Sequence, residues 1–228
     1  MNPSQKAGAN EFKYSRDVYV VEFEDIISKI ICCYKMMLRS GVGFPNNENI
    51  IRDELYLHYL NDNNIRKQLD LLPYFFDRET PEDHSQGRVD IRVITSDVFQ
   101  DTAAYYIIEC KRLNACNPNG ISGLNAEYIR NGISRFTSAI YSTHYKVNGM
   151  IGFIVQAINI FENIDAINVL LKRKEFSTGN LIQHLAFHPL RDDFKYSFRS
   201  LHKTDSGDYI TLYHLMLDLS ENIAIDKV

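Results

Sequence analysis

Apolar residues recur at helical spacing from about Glu24 to Arg39, where Ile26, Ile27, Ile30, Ile31, Tyr34 and Met37 form one stripe and Ser40-Gly41 stops it. Cys32 and Cys33 lie inside this pattern and read as small core residues. Asn46 and Asn47 supply caps for a second helix, with Glu48 in its first turn and Ile51, Leu55, Leu57, His58 and Leu60 along it. The polar run Asn61 to Asn64 breaks it. Three strands are then predicted: Leu72 to Arg78, Gly87 to Thr95 with Val89, Ile91 and Val93 alternating against Arg88, Asp90 and Arg92, and Ala104 to Lys111. SDVFQDT, between the last two, is short enough for an antiparallel hairpin.

The segment NACNPNGISG is loop by composition, and a helix is predicted from about Leu124 to Tyr141. Gly149 to Gln156 reads as a buried strand and Ile160 to Lys174 as a helix. Strands are predicted near 183–187, 195–201 and 209–218, the last two linked by TDSGD. The fold class is α/β, with the order helix, helix, β, β, β, helix, β. Residues 1–16 read as a flexible arm and 17–228 as a single domain, its core at about 48–156 and a C-terminal α/β extension at about 157–228.

Composition narrows the function. The chain has 228 residues, 45% apolar and 24% charged, which excludes both a disordered and a fibrous protein. A formal charge of −4 excludes a grip on nucleic acid by bulk electrostatics, so any such binding is local and metal-assisted. The polar N-terminus has no apolar signal core, and no run approaches the roughly eighteen apolar residues of a membrane span. A soluble protein without a membrane partner is expected; the four cysteines include no CxxC pair, which supports neither a zinc ribbon nor a thioredoxin-type site, and a reducing cytoplasm is the expected compartment. Among the seven histidines there is no HExxH, and GxSxG, GxxxxGK[ST] and GxGxxG are missing too, which disfavours zinc, serine-nucleophile and nucleotide-loop chemistry.

What remains is GRVDIRVI followed, nineteen residues after Asp90, by IIECKRL. On an extended strand Glu109 and Lys111 share one face and Cys110 takes the other. In a hairpin Asp90 approaches Glu109, so two carboxylates and an amine converge. Mg²⁺ takes such carboxylate oxygens and keeps waters for a substrate phosphate, and Lys111 is placed to orient water or offset developing charge. Three acid-x-Lys triplets occur, at Glu11-Phe12-Lys13, Glu109-Cys110-Lys111 and Asp193-Phe194-Lys195, so the tripeptide alone carries no weight. Only the middle one ends an apolar strand with an acid-bearing strand upstream and a helix and buried strand downstream.

At these residues, over roughly 48–156, the chain resembles the PD-(D/E)xK nuclease superfamily. The resemblance implies a restriction-endonuclease-like αβββαβ core, a mixed central sheet flanked by helices. It maps the signature onto Asp90 and onto Glu109, Cys110 and Lys111, although Val89 stands where the literal motif has Pro. It implies a divalent-metal-dependent nuclease with Mg²⁺ as cofactor and Mn²⁺ as substitute. The metal ligands would be Asp90, Glu109 and the Cys110 backbone carbonyl, with Glu54 from the preceding helix as auxiliary ligand. The nucleic-acid partner implied is DNA before RNA, and homodimerisation to cut both strands is common in the family. The rival is a catalytically silent nuclease-fold protein acting as a binding or regulatory module.

Supporting residues keep two readings. Glu54 is an auxiliary site acid or an ordinary solvated helix residue; Glu79 is a weaker candidate, more simply an exposed strand-end acid. Tyr128, Arg135 and Tyr141 fall near one helix face with Gly132 between the first two, and Gly132 is expected to permit a close approach. Arg135 contacts phosphate or is a surface arginine; the acid-free segment from Tyr128 to Phe161 carries Arg130, Arg135 and Lys146, which with Lys111 and Arg112 form a basic rim or are simply the few charges of an apolar-rich segment.

Overall fold

The structure is a computed structural model, and it describes residues 9–81, 88–99, 101–138, 140–141, 144–176 and 180–224. Its centre is one seven-stranded mixed sheet in the order β1-β2-β3-β4-β7-β6-β5. The strands are β1 (Phe75–Pro81), β2 (Arg88–Ile94), β3 (Tyr105–Leu113), β4 (Val147–Ile154), β5 (Asn180–Phe187), β6 (Ser197–Lys203) and β7 (Tyr209–Asp218). β1, β2 and β3 pair antiparallel, β3, β4 and β7 run parallel, and β5 and β6 close the far side antiparallel. The residues expected to form an extension are therefore part of the same sheet, because β7 hydrogen-bonds along the whole of β4.

Helix α1 (Ala9–Arg39) supplies one covering layer. Its stripe starts earlier than expected: Tyr19, Val20 and Phe23 continue the Ile26–Ile30 spacing onto the sheet, which draws the helix N-terminal of Glu24. The flexible arm expected at 1–16 lies outside the described residues as far as residue 8, and from Ala9 the backbone is helical. Gly41, at φ +66°, makes the expected stop. Helix α2 (Glu48–Leu55) is capped by Asn47, whose side chain accepts from the Asn49 and Ile50 amides, and runs on into one π-helical turn, Tyr56–Leu60. The polar break that follows is itself a cap: Asp62 starts the short α3 (Asn63–Gln68).

The other face is covered by α4 (Leu124–Tyr128), its π-helical continuation Ile129–Ile133, α5 (Ser134–Thr137) and α6 (Ile160–Leu171). Two boundaries differ from expectation for local reasons. Leu72-Pro73 forms a turn closed by Tyr74 N–H on the Leu71 carbonyl, so β1 begins at Phe75. The predicted helix to Tyr141 ends at Thr137, where the Thr137 and Ser138 hydroxyls bond back to the Ser134 carbonyl. Among the described residues no helix is long and apolar enough to cross a membrane.

Candidate active site

The β2–β3 ladder stops before the strands do. Its last pair is Ile91↔Ile108, while β1 and β2 stay together to Pro81↔Arg88. In the resulting gap Asp90 Oδ2 accepts the Cys110 amide N–H at 2.8 Å, a main-chain donor left without its strand partner. The splayed end opens a slot in which side chains from both layers meet the β3 residues.

Lys111 stands in that slot. Its Nζ donates to Glu109 Oε1 and to the Cys110 carbonyl, each at 2.7 Å, and to Glu48 Oε1 at 3.1 Å, and lies 3.7 Å from Asp90 Oδ2. Glu109 has no exposed surface, and Lys111 is 8% exposed. The second Glu109 oxygen accepts from Tyr141 OH at 2.5 Å, and Arg135 Nη1 lies 3.3 Å from the first. Cys110 points into the opposite core, as the strand alternation predicts. Gly132 is where the helix comes closest: a Cβ there would lie 2.4 Å from Met150 Cε and 3.7 Å from Lys111 Cγ. The π turn around Gly132 thus brings the backbone down onto the lysine stem.

A second cation sits beside the first. Arg52 Nη1 donates to Asp90 Oδ1, Nη2 to Glu79 Oε1 and Nη2 also to Asp53 Oδ1, all at 2.9 Å, and Asp53 also pairs with Arg78. Burial pushes the Glu109 carboxyl up to about 7, helped by the Asp90 charge and opposed by Lys111 and Arg135. Burial pulls the Lys111 ammonium down, but Glu109, Asp90 and Glu48 more than offset it and hold its pKa above the usual lysine value. Partial burial likewise raises the Asp53 carboxyl, yet Arg78 and Arg52 bring it below its ordinary value.

Asp90, Glu109, Lys111 and the Cys110 carbonyl are therefore brought together as expected. Glu54 is not: its ion-pair partner is His58, one turn on in the same helix. Glu54 lies six positions after Glu48, so the two point to different sides of α2, and the position expected for Glu54 is held by Glu48. Tyr128 cannot meet a substrate, since it is fully buried with its hydroxyl on His214 Nδ1 at 2.8 Å. Arg112 ties down the α2 cap, with Nη1 on the Asn46 carbonyl and side-chain oxygen and its amide on Glu48 Oε2. Arg135, 30% exposed, serves Glu109 and Tyr141 rather than standing free. Glu48 and Arg52 are site residues the sequence reading passed over, and Tyr141, noted there only for the helix face it shares with Arg135, is a third. The i,i+4 spacing of Glu48 and Arg52, flanking buried Ile51 and Leu55, was the available signal for the first two.

Among the described residues no three His, Cys, Asp or Glu side chains are disposed as a preformed metal cage. The carboxylates converge on an ammonium instead, and that ammonium shows what the pocket prefers: a cation ringed by three carboxylates and a carbonyl, all hard oxygen donors. The donor set fits Mg²⁺ or Mn²⁺. Comparison of the chain with protein-family models, with curated proteins and with solved structures finds no match.

Proposed function

We propose that this protein is a divalent-metal-dependent nuclease of the PD-(D/E)xK type, hydrolysing phosphodiester bonds, with DNA as the first substrate to test. The observation that carries the reading is the meeting of Asp90, Glu109 and Lys111 where β2 leaves β3. The order α2, β1, β2, β3, α4, β4, with the short α3 after α2 and α5 after α4, supports it, following the αβββαβ succession of a restriction-endonuclease-like core.

In this reading Asp90, Glu109 and the Cys110 carbonyl hold Mg²⁺ or Mn²⁺, with Glu48 in place of Glu54 as the auxiliary acid. The ion, when bound, supplies a water of lowered pKa and stabilises charge on the phosphate oxygens. Lys111 donates to the attacking water or to the phosphate oxygen that gains charge. Arg135 orients Glu109 and adds positive charge to the same face, and Tyr141 holds the other Glu109 oxygen. A homodimer and a reducing cytoplasm, where the four free cysteines stay thiols, belong to the same proposal.

Supercoiled plasmid, linear duplex, single-stranded DNA and RNA incubated with Mg²⁺ or Mn²⁺, with and without chelator, form the test. Metal-dependent cleavage lost in Lys111→Ala and Glu109→Ala is expected; cleavage retained in either variant refutes the assignment. One observation favours the rival, a silent binding module: both Asp90 oxygens are already engaged, by Arg52 and by the Cys110 amide. That rival requires nucleic-acid or protein binding without cleavage and without stabilisation by metal.

A further inference from the structure

We propose that the Arg52 guanidinium is a built-in cation standing where a second metal ion would stand, so that the site holds a single divalent ion, on the Lys111 side of Asp90. The inference rests on the metal-site reading above and goes beyond it by fixing the number of ions and the residue that sets it.

The cluster has two positive centres joined by one carboxylate. Glu109, Glu48, the Cys110 carbonyl and Asp90 Oδ2 surround Lys111 Nζ; Asp53, Glu79 and Asp90 Oδ1 surround Arg52. An acidic residue bridging two cations is the layout of a two-metal phosphodiester site. Here one of the two cations is part of the chain. A guanidinium is not deprotonated in a protein, so its charge does not give way to a competing ion. Its side chain is 3% exposed, and Nε, Nη1 and Nη2 are all committed to carboxylates.

The oxygens around Arg52 are occupied from outside as well: Arg78 pairs with Asp53, and Arg88 Nη1 lies 3.9 Å from Glu79 Oε2. Glu79 keeps this pairing at φ +49°, a left-handed conformation unfavourable for a side chain of its size, opposite Asp90 on the neighbouring strand. Lys111 differs in that its ammonium ends a flexible stem able to turn aside, whereas the buried fork of Arg52 is held at three carboxylates. Arg52 is thus a positioning residue: it holds Asp90 Oδ1, and so aims Oδ2 at the Lys111 side.

Mn²⁺ stoichiometry, measured by calorimetry and by electron paramagnetic resonance on the full chain, tests this independently of cleavage. One ion per chain is expected for the wild type, and a second, weaker ion for Arg52→Gln and for Arg52→Lys, whose ammonium keeps the charge but can turn aside. Two ions in the wild type, or a folded Arg52→Gln that still takes one, overturn the proposal. No bound ion in the wild type overturns the metal-site reading itself, a distinguishable failure. If Arg52→Gln does not fold by circular dichroism, Arg52→Lys decides: a second, weaker ion there beside one in the wild type supports the proposal, and a single ion in both refutes it.

Discussion

Acidification should unfold this protein through its core. Tyr128 OH, His214, Ser200 Oγ and His202 form a buried chain with successive contacts of 2.8 Å, and His202 Nδ1 ends it without a partner. His202 and His214 have no exposed surface. Burial brings His202 down from 6.5 to about 4, and burial together with the neighbouring His202 takes His214 well below its ordinary value. Below about pH 6.5 the unfolded chain takes up protons that these folded imidazoles refuse. Stability therefore falls as pH drops through 6.5, and the His202 contribution levels off only below about 4. A depression of this size corresponds to about 3 kcal/mol from His202 alone, a large part of the roughly 5–15 kcal/mol that holds a domain together. Urea denaturation at intervals from about pH 7.5 to 4 measures the loss, and His202→Phe isolates it from the carboxylates titrating in the same range. Whatever constant cost the phenyl ring brings, the variant should gain on the wild type by about 1.4 kcal/mol per pH unit between about pH 6.5 and 4, with no relative change above 6.5. Parallel curves for the two proteins would refute the buried neutral imidazole.

The remaining predictions concern the site. Glu48→Gln should weaken Mn²⁺ binding, read by calorimetry, while Glu54→Gln leaves it at the wild-type value; the reverse pattern would restore the sequence-based choice of Glu54. Mg²⁺ at about 100 times its Kd should stabilise the fold by about 2.7 kcal/mol, raising Tm by about 5–10 °C and reversibly with chelator, and an unmoved Tm at millimolar metal counts against the site. Tyr141→Phe removes a buried donor shared between Glu109 and the Arg88 carbonyl and should cost about 1–3 kcal/mol in a denaturant titration; no loss would mean the contact with Glu109 contributes nothing.

The sequence by itself determined the elements whose physics is local. The apolar stripe of α1, the Asn47 cap, the alternation of β2 and the β-forming run of β3 are properties of neighbours along the chain, and they carried the α/β class and the choice of Asp90, Glu109 and Lys111. A strand has two faces and no others, so Glu109 and Lys111 had to project together.

Only the tertiary structure decided which distant groups complete the cluster. Glu48 rather than Glu54 reaches Lys111 because α2 presents one side to the β2–β3 gap, and both glutamates are equally acidic on the page of residues. Tyr141 reaches Glu109 because the helix before it ends early, and Tyr128 turns into the core because His214 waits on β7. The splaying of β2 from β3 and the Arg52 bridge depend on contacts between residues tens of positions apart, whose free energy no local pattern encodes.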